Sequence, residues 1–114
     1  MLRIITAVFF AVSANGAVAQ YCPEIKFARG ASSGEVSGQV SDTLPLCFLF
    51  GSGEGQTARL QLFGSENACF TVAGVIDCQD DFSFRTQGRT YEVGVFQLFR
   101  RTAWEHFTLR LTIY

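Results

Sequence analysis

The chain has 114 residues, 48% hydrophobic and 14% aromatic, with 9 basic and 10 acidic side chains for a formal net charge of −1. A charge this close to balance excludes nucleic-acid binding, or attraction to an anionic membrane, through overall charge. Any electrostatic recognition must therefore be local.

Residues 1–19 have the pattern of a signal peptide. Arg3 precedes an apolar run that ends in small residues and an Ala17-Val18-Ala19 cleavage pattern. The run is too short and too interrupted to span a bilayer. We therefore expect cleavage before Gln20 and a periplasmic or secreted protein without stable membrane insertion. Residues 20–114 then form a single domain, and the loss of Arg3 leaves 8 basic and 10 acidic residues, a net charge of −2.

Four cysteines in an exported chain of this size predict two disulfides. Three pairings are possible. Cys69 and Cys78 flank a predicted hairpin, so their local pairing is favoured, which leaves Cys22 with Cys47. A zinc site is disfavoured because no two cysteines are close in sequence and the chain has one histidine. We expect no metal and no cofactor.

Alternating apolar and polar residues predict eight or nine short strands and no helix. Turn signals recur about every 8–12 residues, which favours a compact antiparallel β-sandwich or jelly roll, all-β and stapled by the disulfides. The predicted strands cover Glu24–Ala28, Glu35–Val40, Cys47–Phe50, Gln56–Leu62, the two arms of the hairpin between Cys69 and Cys78, Asp81–Phe84, and residues 91–95 and 107–113.

Three stretches resemble catalytic or ligand-binding motifs but fit a structural interpretation better. Gly51–Gly55 leads into a strand, not a helix, so a hairpin turn is favoured over a phosphate loop. Asp80 and Asp81 are adjacent and would point to opposite faces of a strand. His106 sits in a predicted strand beside Glu105, which cannot orient it as a catalytic triad requires. We therefore expect no enzymatic activity.

The last two predicted strands form a closing hairpin whose turn is aromatic and cationic. Burying both Arg100 and Arg101 would carry a large desolvation penalty. Each has a planar guanidinium whose N–H donors can bind a carboxylate through two hydrogen bonds. Phe99 and Trp104 flank them, a mixture typical of protein interfaces. A solvated, charged loop that discourages edge pairing is an equally good interpretation of this composition.

Several segments, taken in order, carry a family resemblance over nearly the whole of residues 20–114. They are Phe27–Val40, Cys47–Phe50, Gly55-Gln56, Gly88–Val95, Arg100 and Phe107–Ile113. Together they resemble bacterial periplasmic inhibitors of g-type (goose-type) lysozyme. The resemblance implies an eight-stranded β-sandwich that blocks a muramidase active-site cleft by inserting loops, with lysozyme as its partner and no chemistry of its own.

The resemblance also implies where the inhibitory residues lie. Arg100, and by proximity Arg101, correspond to the family's arginines in the connection before the final strand. The family's tyrosine-bearing loop corresponds to Ser41–Leu46, which here has Thr43 and Leu44 instead.

These correspondences define a predicted binding site. We expect Arg100 and Arg101 to occupy the lysozyme cleft electrostatically, with apolar contacts from Phe99, Trp104 and Leu44. Two alternatives stay open: a carbohydrate- or peptidoglycan-binding sandwich that stacks sugars on Trp104 and Tyr91, and an envelope-interaction domain without inhibitory activity.

Overall fold

The computed structural model describes residues 21–114, so the predicted signal peptide lies outside the described residues. Within this part of the chain, no helix is long and apolar enough to cross a membrane. Eight strands follow one another: β1 (Ser33–Val40), β2 (Leu46–Ser52), β3 (Thr57–Phe63), β4 (Ala68–Val72), β5 (Ile76–Gln79), β6 (Asp81–Arg85), β7 (Arg89–Gln97) and β8 (Glu105–Ile113).

The strands form two four-stranded antiparallel sheets, in the orders β1-β8-β3-β6 and β2-β7-β4-β5. The predicted all-β sandwich is thus confirmed. Only β4 and β5 are consecutive strands of one sheet, and the other six connections carry the chain from one sheet to the other. The ends of the sandwich are therefore built from crossing loops.

The core lies between the sheets and follows the period-2 pattern of the sequence. In β3, Ala58, Leu60 and Leu62 are buried while the residues between them are partly exposed. Phe50 from β2 and Phe107 from β8 are among the largest fully buried side chains. Burial of each such side chain stabilises the fold by about 1.5–3 kcal/mol.

The predicted closing hairpin is wrong. β7 pairs with β2 and β4 in one sheet, whereas β8 pairs with β1 and β3 in the other. Alternation specifies which residues of a strand face the core, but both sheets face the same core, so it does not specify the partner strand. Gly51–Gly55 is not a hairpin turn either, because β2 and β3 also belong to different sheets.

The predicted strand Glu24–Ala28 is also absent as a strand. Its pairing is an isolated parallel bridge between Glu24 and Leu49, with the Ile25 amide donating to the Leu49 carbonyl at 2.8 Å. The segment then leaves β2 and crosses onto β1, where a Cβ at Gly34 would lie only 2.5 Å from the carbonyl oxygen of Lys26. Because the segment crosses from one strand to another, it does not run beside either of them far enough to form a ladder of backbone hydrogen bonds.

Both favoured disulfides are confirmed. Cys22–Cys47 ties the N-terminal segment to β2, and Cys69–Cys78 joins β4 to β5. The carboxylate of Glu92 lies within 4.8 Å of the first pair. Because these two sulfurs are bonded to each other, they are not thiolates available to a metal.

The two disulfides close loops of different length, and this predicts unequal contributions to stability. The sequence separations are 25 residues for Cys22–Cys47 and 9 for Cys69–Cys78. Replacing each pair by alanine should lower the free energy of unfolding by about 3.5 and about 2.6 kcal/mol respectively, because the longer loop frees more denatured-state entropy. Urea unfolding measures both values, and a larger loss for the 69–78 pair would contradict the loop-length account.

Candidate protein-binding site

Three crossing loops meet at one end of the sandwich. The end of β1 lies beside the start of β8, since Val40 is opposite Glu105, and the start of β4 lies beside the end of β7, since Ala68 is opposite Gln97. Residues 41–45, 64–67 and 98–104 therefore converge, and we call these three loops together the rim. The amide of Asp42 donates to the carbonyl of Arg101 at 3.1 Å, which joins two of the loops directly.

The rim brings together all the residues predicted to bind a partner. They are Thr43, Leu44, Phe99, Arg100, Arg101 and Trp104, and every one is exposed. The apolar members keep much of their surface in solvent: 46% for Leu44, 67% for Phe99 and 56% for Trp104. A cleft of about 560 Å³ lies between two of the loops, and its lining includes Asp42, Thr43 and Arg100.

The two arginines of the rim are not equivalent. The Arg101 guanidinium lies 3.9 Å from a carboxylate oxygen of Glu105, so part of its charge is compensated within the chain. Arg100 makes no ion pair with any residue among 21–114, although it lines the cleft. Arg100 is thus the rim cation that is free to take a carboxylate from outside.

Glu105 is an anion held at the base of the rim. Its carboxylate accepts hydrogen bonds from the Asn67 side chain at 3.1 Å and from the Ser65 hydroxyl at 3.0 Å. The Asn67 bond first, then the Ser65 bond and the nearby Arg101 charge, lower the pKa of Glu105 below its ordinary value. Glu105 therefore stays ionised and acts only as an acceptor at neutral pH.

Three residues in or next to the rim were not predicted from the sequence. Leu98 is exposed over 50% of its surface, whereas Asn67 and Gln97 are polar but only 7% exposed. Gln97 has a sequence signal, because it continues the inward series Tyr91, Val93, Val95 with a polar side chain. Asn67 lies in a Gly-Ser-Glu-Asn turn, where nothing in the composition predicts burial.

Other candidate residues have structural partners. Tyr91 is 3% exposed and stacks on Phe50, and its hydroxyl accepts from the Gln87 amide at 2.9 Å. It is therefore no platform for a sugar, and the carbohydrate-binding alternative is left with Trp104 alone of its two aromatic side chains. Asp81 forms an ion pair with Arg59 at 2.7 Å, and this hydrogen-bonded pair lowers its pKa. His106 is an exposed residue of β8, as expected.

Comparison with known proteins gives matches in structure but not in sequence. No family model matches the chain, and no curated protein matches it in sequence. The crystal structure of Aeromonas hydrophila PliG, a periplasmic lysozyme inhibitor of g-type lysozyme, is similar with a TM-score of 0.70 at 20% identity, over 83% of this chain and 98% of that one.

Two further crystal structures of such inhibitors are similar. Salmonella Typhimurium PliG matches with a TM-score of 0.67 at 17% identity, over 83% of this chain and 100% of that one. A mutant of Escherichia coli PliG matches with a TM-score of 0.66 at 19% identity, over 84% of this chain and 100% of that one. The chain has the fold of these inhibitors. The resemblance found in the sequence is confirmed at the level of the fold.

The lowered pKa of Glu105 predicts a loss of stability in acid. A carboxyl whose pKa is lower in the folded state stabilises the fold above its unfolded-state pKa of about 4.3, and this contribution disappears as the pH falls through the folded-state pKa. Glu105→Gln should therefore be less stable than the wild type at pH 7 and show a smaller drop between pH 7 and about pH 3.

Urea unfolding at both pH values measures this difference. Glu66→Gln removes the same charge from an exposed position in the loop that carries Ser65 and Asn67, and it serves as the control. It should unfold at the wild-type midpoint at pH 7. Equal acid sensitivity of Glu105→Gln and the wild type would show that Glu105 contributes nothing to the pH dependence.

Proposed function

We propose that this chain inhibits lysozyme, g-type in preference to other types, by inserting the rim into the active-site cleft of the enzyme. One observation carries the proposal: the fold gathers two predicted loops into one rim, with the uncompensated Arg100 among exposed apolar side chains. The fold shared with three periplasmic inhibitors of g-type lysozyme supports the same assignment.

The chemistry of the rim suits a cleft that contains carboxyl groups, as glycosidase active sites do. The planar guanidinium of Arg100 can pair with such a carboxylate through two hydrogen bonds and displace its water. Phe99, Trp104 and Leu44 are exposed apolar side chains on the same rim and would contact the enzyme beside the pair, with Leu98 enlarging the apolar area. Thr43, on the 41–45 loop, lines the same cleft as Arg100.

The two arginines should contribute unequally to binding the enzyme. Arg100 has no carboxylate partner among residues 21–114, so binding a partner costs it no internal ion pair. Arg101 would have to share or give up Glu105. Arg100 is therefore the principal cleft-inserting group and Arg101 a secondary one.

We also propose that the protein acts in the periplasm or after secretion. Two disulfides suit an oxidising compartment, and the sequence of residues 1–19 supports cleavage before Gln20. The proposed inhibitor would block the enzyme by occupying its cleft and would catalyse nothing itself.

Single substitutions of the arginines test the proposal. Arg100→Ala should weaken inhibition about thirtyfold or more, since truncating one member of a desolvated charge pair costs at least about 2 kcal/mol of binding free energy. Arg101→Ala should weaken it less, by about tenfold or under. Both proteins should keep their stability within about 0.5 kcal/mol, because exposed side chains are removed.

The measurement is inhibition of cell-wall lysis by purified residues 20–114 against a panel of g-, c- and i-type lysozymes. Arg29→Ala is the matched control, because Arg29 is exposed and precedes β1 at the opposite end of the sandwich. It should inhibit as the wild type does. Full inhibition by folded Arg100→Ala would reject the assigned site.

The same preparation distinguishes the alternatives. A peptidoglycan-binding module would sediment with purified cell walls in the absence of lysozyme and leave lysis unaffected. A purely structural domain would do neither. Inhibition of the g-type enzyme without sedimentation is the result expected here.

A further inference from the structure

The connection from Leu98 to Trp104 crosses between the sheets without a strand to pair with. Its backbone makes two hydrogen bonds with other backbone groups of the described chain: the Leu98 amide donates to the Asn67 carbonyl at 2.7 Å, and the Arg101 carbonyl accepts from Asp42 at 3.1 Å. A seven-residue loop held only in this way would sample many conformations. Two buried side-chain amides make further hydrogen bonds with its backbone.

The Gln97 side chain binds the backbone of the loop after Arg100, at Arg101 and Ala103. Its carbonyl oxygen accepts from the Arg101 amide at 2.8 Å, and its NH₂ group donates to the Ala103 carbonyl at 3.0 Å. The two partners settle the orientation of the side-chain amide, because a backbone N–H can only donate and a backbone carbonyl can only accept.

The Asn67 side chain binds the backbone of the loop before Arg100, at Phe99. Its oxygen accepts from the Phe99 amide at 2.9 Å, and its NH₂ group donates to the Phe99 carbonyl at 2.8 Å and to Glu105 at 3.1 Å. The ionised Glu105 carboxylate is only an acceptor, so it directs the NH₂ group of Asn67 and thereby turns the oxygen toward Phe99. Glu105 thus orients the amide that orients the loop.

We propose that Asn67 and Gln97 are positioning residues, an amide clamp that fixes the backbone at residues 99 and 101 and so sets the direction in which Arg100 leaves the rim. The clamp grips the residue on each side of Arg100 and leaves the arginine side chain itself untouched. Both amides are 7% exposed, so water competes poorly for their hydrogen bonds. The consequence for inhibition rests on the function proposed above.

Preorganisation explains why such a clamp would matter for binding. A loop that is already ordered in the free protein loses less conformational entropy when a partner captures it. If one or two backbone residues lost their fixed conformation in the free protein, ordering them again on binding would weaken the affinity about ten- to a hundredfold. Inhibition should therefore depend on two residues that need not contact the enzyme.

Amide hydrogen exchange of the free protein tests the clamp without any lysozyme. In Asn67→Ala the Phe99 amide, and in Gln97→Ala the Arg101 amide, should exchange at least about tenfold faster than in the wild type, while the core amides of β7 keep their protection. Gln97→Glu retains the acceptor for Arg101 and should keep that amide protected, which separates loss of the bond from loss of the fold. Unchanged exchange at Phe99 and Arg101 in the folded alanine variants would overturn the clamp.

Thr86 supplies the matched control at the opposite end of the sandwich. It is 3% exposed, and its hydroxyl donates to the Gly53 carbonyl at 2.7 Å and accepts from the Gln56 amide at 3.1 Å. Thr86→Val removes an equally buried polar contact far from the rim. It should lower the melting temperature and leave both the exchange of the rim amides and the inhibition unchanged.

A double-mutant cycle in the lysis assay then separates positioning from general stability. Gln97→Ala should weaken inhibition about ten- to a hundredfold in the presence of Arg100, and it should add little loss in the background of Arg100→Ala, because the group it positions is gone. Fully additive losses would contradict a positioning role. If the wild type inhibits no lysozyme, the proposed function fails, and the exchange measurement still decides whether the clamp exists.

Discussion

The change of sheet between β7 and β8 is the constraint on which the rim depends. Because the two strands lie in different sheets, the chain between Gln97 and Glu105 must cross the end of the sandwich, away from any ladder of backbone hydrogen bonds. Backbone groups removed from a ladder need other partners. Two buried side-chain amides supply partners for backbone groups of Phe99, Arg101 and Ala103, and the crossing places Arg100 at the end of the molecule.

Buried polar residues have the same role throughout this sandwich. Among residues 21–114 they are Ser41, Asn67, Thr86 and Gln97, and each lies at or next to the end of a strand. Six of the seven connections cross between sheets, so most strand ends leave backbone groups that the ladders do not satisfy. Three of the four residues support the rim and one supports the opposite end. Buried polar residues of the described chain are therefore more numerous at the rim than at the opposite end.

The sequence predicted those features that depend only on residues close to one another along the chain. Period-2 alternation identified β3, β7 and β8 close to their observed bounds, and the hairpin between Cys69 and Cys78 predicted its own disulfide. Partner choice between strands was not local, which is why β7 and β8 were wrongly joined. The inequality of Arg100 and Arg101 was equally hidden, because it depends on Glu105 being fixed by Asn67 and Ser65 from another loop. Six exposed residues of the rim were predicted from the sequence, but Leu98 was missed, and the hydrogen bonds of Asn67 and Gln97 became visible only in the tertiary structure.

A hydrogen-exchange footprint of the protein mixed with a g-type lysozyme tests the central claim most directly, since it asks which surface the partner covers. The account predicts added protection in residues 41–46 and 98–104, and no change in the Gly53–Gln56 crossing or around Thr86 at the opposite end. Protection confined to the opposite end, or none at all at concentrations where lysis is inhibited, would contradict insertion of the rim.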